Sequence, residues 1–159
     1  MKLTRIQVLE LHHILDTTKF DRPISPKFLY AVAKNVKKLK EEIDVINDAF
    51  PTPEAYNEYR QKEVGYFQEY SVTSEQAYLS LEEERKQELD SKIDALKEEC
   101  ADAIEEFNTL QQEKSEFLKE EVDIELYQVD ADIIPVISEE GNQYDDRAIW
   151  DRLILIIKE

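Results

Sequence analysis

A chain of 159 residues with 42% hydrophobic and 36% charged side chains, but only two glycines and five prolines, has enough apolar material for a core and too few turn residues for a sandwich or barrel. Its formal net charge of −17 argues against direct binding to nucleic acid or to an anionic membrane, and permits binding to a basic partner. The single cysteine, Cys100, excludes an intramolecular disulfide, and no apolar run approaches the ~20 residues a membrane helix needs.

The first helix opens at Thr4. Gln7 lies three residues on, which spells a capping box, and Leu3 with Val8 sits at the positions of a hydrophobic staple. Ile6, Leu9, Leu11, Ile14 and Leu15 give the apolar face. Asp16, Thr17 and Thr18 end it, and this polar start to the chain is not a secretion signal, so a soluble cytoplasmic protein is expected.

Ser25 followed by Pro26 marks the next helix start. Over 25–50 the apolar residues Leu29, Val32, Val36, Leu39, Ile43, Ile46 and Phe50 step by three and four in strict alternation. That is the heptad seam of a coiled coil. Phe50-Pro51-Thr52-Pro53 breaks the run, and a further helix is expected from about residue 53 to 70. Its stripe is aromatic: Tyr56, Tyr59, Tyr66, Phe67 and Tyr70. Gly65 weakens it by ~1 kcal/mol relative to alanine.

The turn is placed at Ser71-Val72-Thr73-Ser74, with one very long helix after it, to about residue 121. Leu89, Ile93, Leu96, Cys100, Ala103, Phe107, Leu110, Lys114 and Phe117 form its seam. Cys100, at a seam position, reads as a small buried hydrophobe rather than a reactive thiol. Two matched arms and a short turn predict an antiparallel hairpin in which Leu39 and Ile43 lie against residues 96–107. Lysines dominate the first arm and glutamates the second, which favours this pairing.

After residue 121 the period changes to two: Val122, Ile124 and Leu126 alternate with Asp123 and Glu125, a strand signal. Pro135 confines the next apolar run to an edge or an extended segment. Asp145 or Asp146 caps a final helix bearing Ile149, Trp150, Leu153, Ile156 and Ile157.

The expected fold is therefore mainly α: a long antiparallel coiled-coil-like helical hairpin with a small β element and a C-terminal helix. Residues 1–50 and 89–159 make the scaffold with its β element, and residues 51–88 the distal, tyrosine-rich part of the hairpin.

Chemistry-bearing motifs are scarce. His12 and Asp16 share a helix face, but no third metal ligand accompanies them. The acidic runs at 82–84, 98–99, 105–106 and 120–121 read as a solvated face, or as a surface imitating nucleic-acid phosphates. Phosphate loops, zinc spacings and nucleophile motifs are absent. No catalytic, metal or cofactor-binding residue is expected. Tyr56, Tyr59, Tyr66, Phe67, Tyr70 and Tyr78 remain as the candidate partner-binding set, since tyrosine is apolar in body and polar at its tip.

The order of parts is similar to that of a family of small uncharacterised bacteriophage proteins. The similarity rests on Met1-Lys2-Leu3-Thr4 leading into a short helix, on the long charged helical run, and on Val122-Asp123-Ile124-Glu125-Leu126-Tyr127 with Ile134-Pro135 before a short apolar terminal helix. Residues 51–80 depart from that layout. The resemblance implies a phage or prophage setting. A non-enzymatic interaction protein, self-associating as a dimer, is the resulting expectation. An acidic inhibitor occupying a basic, nucleic-acid-binding surface of a host protein is the alternative.

Overall fold

A computed structural model describes residues 1–158. They are mainly α, with seven α-helices and one two-stranded antiparallel sheet among the described residues. The chain divides into two compact units, Met1–Ala49 with residues 115–158 and Phe50–Lys114. The first boundary falls at the proline break that the sequence marks. The second falls at 114/115.

In the first unit, β1 (Lys2–Thr4) runs into α1 (Arg5–Thr17). Thr4 caps α1 with its side chain on the Gln7 amide, and the Gln7 side chain returns to the Thr4 amide, so the capping box forms. Leu3 and Val8 are both buried. The strand signal at 122–126 is realised only as β2 (Glu121–Asp123), which pairs antiparallel with β1: Leu3 faces Val122 and Lys2 faces Asp123. The N-terminal ammonium holds the Asp123 carboxylate at 2.9 Å and lowers its pKa through that hydrogen bond.

Helix α2 (Pro26–Ala49) starts where Pro26 predicts; Val32, Val36, Leu39, Ile43 and Ile46 of the heptad reading do turn inward, but the face they belong to is not a coiled-coil seam. Leu29 is 52% exposed, whereas Phe28, Ala31, Asn35, Leu39 and Ile46 are buried. Those positions recur at about 3.6 residues per turn, the period of a straight helix in a globular core, not the 3.5 of a coiled coil. Asn35 conceals this face in the sequence. Its side chain is fully buried and spans the Tyr127 backbone, accepting from the N–H at 2.7 Å and donating to the C=O at 2.9 Å.

Leu39 consequently joins a core built by α1, α2 and the C-terminal segment, with Ile43 packed against it: Val8, Leu11, Ile14 and Leu15 from α1, then Ile124, Leu126 and Val129. Helix α7 (Asp146–Leu153), capped by Asp145, completes it with Ile149 and Leu153, and Ile156 follows in a short 3-10 turn. Two bridges tie down the irregular C-terminal chain, Phe20 with Ile137 and Val129 with Ile157. Arg5 is a further clasp. Its guanidinium pairs with Glu42 and Glu120 at 2.9 Å each and lies 3.8 Å from the Phe117 ring.

In the second unit, α3 (Glu54–Glu69) and α5 (Glu83–Glu99) form an antiparallel pair. Partners descend along one helix as they rise along the other: Lys62 with Glu99, Glu69 with Lys92, Tyr70 with Glu88. The connection is not the four-residue turn read from the sequence. It runs from Ser71 through the short α4 (Glu75–Leu79) to Glu82, and this longer link shifts the register that a turn at 71–74 would have set. The long second arm is also divided, at Cys100, into α5 and α6 (Ala101–Lys119). Cys100 is half-buried at this joint, not in a seam. The helices thus make no single long coiled-coil hairpin.

Candidate functional site

The tyrosine-rich stretch folds as the α3–α4–α5 part of the second unit, and its rings divide into a packed set and an open set. Tyr59 and Tyr70 are buried, only 6% and 5% exposed. The Tyr59 hydroxyl donates to Glu63 Oε1 at 2.8 Å, and Glu63, itself nearly buried, also pairs with Arg60. Burial first, then the hydrogen bond to the Glu63 carboxylate, push the Tyr59 phenol up to about 12. Tyr56 is half-buried and stacked on Phe107 from α6, with centroids 3.7 Å apart and planes 3° from parallel. Tyr66 and Tyr70 are roofed by the Lys92 ammonium at 5.6 and 4.9 Å, and Lys92 is held there by Glu69 at 2.9 Å. The Glu69 hydrogen bond is also the main reason the Lys92 pKa is raised.

Phe67 and Tyr78 are placed differently. They line an open cleft of about 840 Å³ together with Val64, Val72 and Ile93. Glu63, Glu75, Asp90 and Lys97 also line it.

Local backbone chemistry builds this cleft. Helix α3 ends in a Schellman motif: the Val72 amide donates to the Phe67 carbonyl at 2.8 Å and the Ser71 amide to the Gln68 carbonyl at 2.9 Å. Ser71 takes the left-handed conformation this requires, at φ 59°, where glycine is the usual residue. The motif sets Val72 beside Phe67. Ser74 then caps α4 by accepting the Ala77 amide at 3.1 Å. Tyr78, on α4, donates its hydroxyl to both Asp90 oxygens at 2.8–2.9 Å, which anchors α4 to α5 and raises the Tyr78 phenol pKa.

Of the six aromatic candidates, then, two face the cleft and two are interior. Val64, Val72 and Ile93 belong to the cleft and were not singled out from the sequence. Val64 sits three residues before Phe67, a same-face spacing that could have revealed it. Val64 at 44% and Leu79 at 62% exposure are the open apolar side chains of this region.

The acidic runs are exposed. On α6, Asp102, Glu105, Glu106 and Glu113 line a shallow groove of about 510 Å³ with Pro53 and Leu110, and none of the four makes an ion pair among the described residues. His13 Nε2 lies 3.0 Å from Gln143 Oε1 and its ring meets Tyr144 edge-on. Among the described residues no three His, Cys, Asp or Glu side chains converge as metal ligands, and no helix is long and apolar enough to cross a membrane.

Comparisons with protein families, curated proteins and solved structures give no match. The functional reading is accordingly built on the geometry of the cleft and on the charge around it.

Proposed function

We propose that the chain is a non-enzymatic protein-interaction module of a bacteriophage or prophage, acting in the host cytoplasm, with the α3–α4–α5 hairpin as its working element. This hairpin is the coiled-coil-like part of the molecule, an antiparallel pair linked by lysine–glutamate bridges. The observation that carries the reading is the open cleft of Val64, Phe67, Val72, Tyr78 and Ile93. Its dimensions and its apolar floor suit one face of a partner's amphipathic helix. Seventeen acidic against seven basic side chains between Phe50 and Lys114 favour a partner helix with basic flanks.

Affinity capture from bacterial host lysate at low and at high salt tests this. Wild-type protein should retain a partner at high salt, and a Val64→Asp, Leu79→Asp variant should lose it while unfolding at the same temperature. Both residues are exposed, so the variant leaves the core intact.

A second reading is supported by the unpaired carboxylates of the α6 groove, which would fit an acidic inhibitor or DNA mimic on a basic host surface. Under that reading the partner is retained only at low salt. It is then released by Glu105→Lys, Glu106→Lys and is indifferent to Val64→Asp.

A further inference from the structure

We infer that a second copy of this chain docks through a lysine–tyrosine face of α2, seating it on the acidic groove of α6. The inference uses no residue of the apolar cleft and stands apart from the reading above. Lys27, Tyr30, Lys34, Lys37 and Lys38 fall within about 100° of arc on α2, and all five are exposed. Lys27, Lys34 and Lys37 make no ion pair among the described residues. Lys38 is held by Glu125, by its carbonyl at 2.6 Å and its carboxylate at 3.7 Å. The Lys34 ammonium lies 5.5 Å from the Tyr30 ring, and that ring meets Tyr127 edge-on at 5.5 Å. Tyr30, Lys34 and Lys38, with Glu125 and Tyr127, wall a pocket of about 320 Å³ floored by the buried Asn35. It is a cationic and aromatic surface on a chain of net charge −17.

The occupant is argued from charge and spacing. The lysine face spans residues 27–38 and the acidic face of α6 spans residues 102–113, each ~16 Å at 1.5 Å per residue. Asp102, Glu106, Thr109 and Glu113 repeat at helical spacing as Lys27, Tyr30, Lys34 and Lys38 do. Apart from Lys38, which pairs with Glu125 at 3.7 Å, the charged side chains of the two faces make no ion pair among the described residues. A polyanion such as single-stranded nucleic acid would meet the same lysines and, like a second copy of net charge −17, the repulsion of the whole chain, but it presents no basic face to the α6 carboxylates. A second copy presents carboxylates to the lysine face at matched spacing and has a lysine face of its own for the α6 carboxylates.

Sedimentation velocity tests this, because both faces are exposed and charge reversal leaves the cores untouched. Wild-type protein should sediment above the 18.8 kDa monomer at low ionic strength and return to it near 0.5 M salt, where the Debye length is only ~4 Å. Lys34→Glu, Lys37→Glu and, separately, Glu106→Lys, Glu113→Lys should each be monomeric. An equimolar mixture of the two variants should associate again, since the intact lysine face of one variant then meets the intact acidic face of the other. A wild-type monomer at low salt, an undiminished dimer in either variant, or a mixture that stays monomeric overturns the inference. So does retention of a single-stranded oligonucleotide by the wild type without self-association.

Discussion

The two units bury different chemistry. In the first, the largest fully buried side chains are Phe28, Leu11, Leu39, Ile46, Ile149, Leu153 and Ile156, with Asn35 as the polar exception. In the second, Leu89, Ile93 and Leu96 are joined by two tyrosines and a glutamate. Burying an aliphatic side chain yields ~1.5–3 kcal/mol without any partner to satisfy. A buried tyrosine must also place its hydroxyl, and here Glu63 and Glu88 accept those groups. Both units expose apolar side chains, the first at scattered positions such as Leu29, Val136 and Ile154, the second at Val64 beside the half-buried Phe67 and Tyr78 of the cleft. The contrast teaches where satisfaction matters: the first unit is held by aliphatic packing, the second by packing that depends on placing tyrosine hydroxyls on carboxylates.

The comparison breaks most readily in the first unit. Leu39→Ala should cost about 2–5 kcal/mol by chemical denaturation, because Leu39 is fully buried. Phe107→Ala should cost less, about 1–2 kcal/mol, because Phe107 is half-buried and its main contact is the stack on Tyr56. Equal losses would mean that the second unit is packed as tightly as the first. Asn35→Ala should cost about 1–3 kcal/mol, since it strands both the N–H and the C=O of Tyr127.

A pH dependence sharpens the contrast. The Tyr59 phenol is raised to about 12 in the folded state, so that state holds its proton more tightly than the unfolded chain does. The contribution is complete below pH ~10, the unfolded phenol value, and is lost as pH rises through about 12. Tyr59→Phe should remove this alkaline loss while costing about 1–2 kcal/mol at neutral pH, through the missing bond to Glu63. Urea midpoints from pH 8 to 12, wild type against variant, measure both effects.

Smallest are two changes of opposite sign to the rest. Gly65→Ala should stabilise α3 by about 0.5–1 kcal/mol, because a Cβ there meets nothing within 4 Å. Ser71→Gly should stabilise by up to about 1 kcal/mol by relieving the left-handed backbone. Thermal melts of the two single variants decide it, and a lower melting temperature for Gly65→Ala would mean that α3 is strained there.

Local signals in the sequence were legible and long-range ones were not. The Thr4–Gln7 box, the Pro26 start and the Asp145 cap act within three or four residues, and each is realised. Strand β1 escaped notice because three residues make no period, and its partner lies about 120 residues away. The inner face of α2 is legible only in part, because Asn35 is polar yet buried, its side chain satisfied by a backbone that no local pattern announces. The hairpin register was missed because α4 extends the connection from Ser71 to Glu82. At the cleft, the aromatic stripe gave the region. Which rings are open depends on Glu63, Glu88 and Lys92, whose positions only folding sets.

Methyl chemical-shift mapping tests the central claim most directly. With the captured partner added to the protein at high salt, the methyl signals of Val64, Val72 and Ile93 should shift together and saturate. Those of Leu11, Leu39 and Leu153, in the first unit's core, should stay in place. A partner that binds while the three cleft methyls remain unmoved would contradict the account.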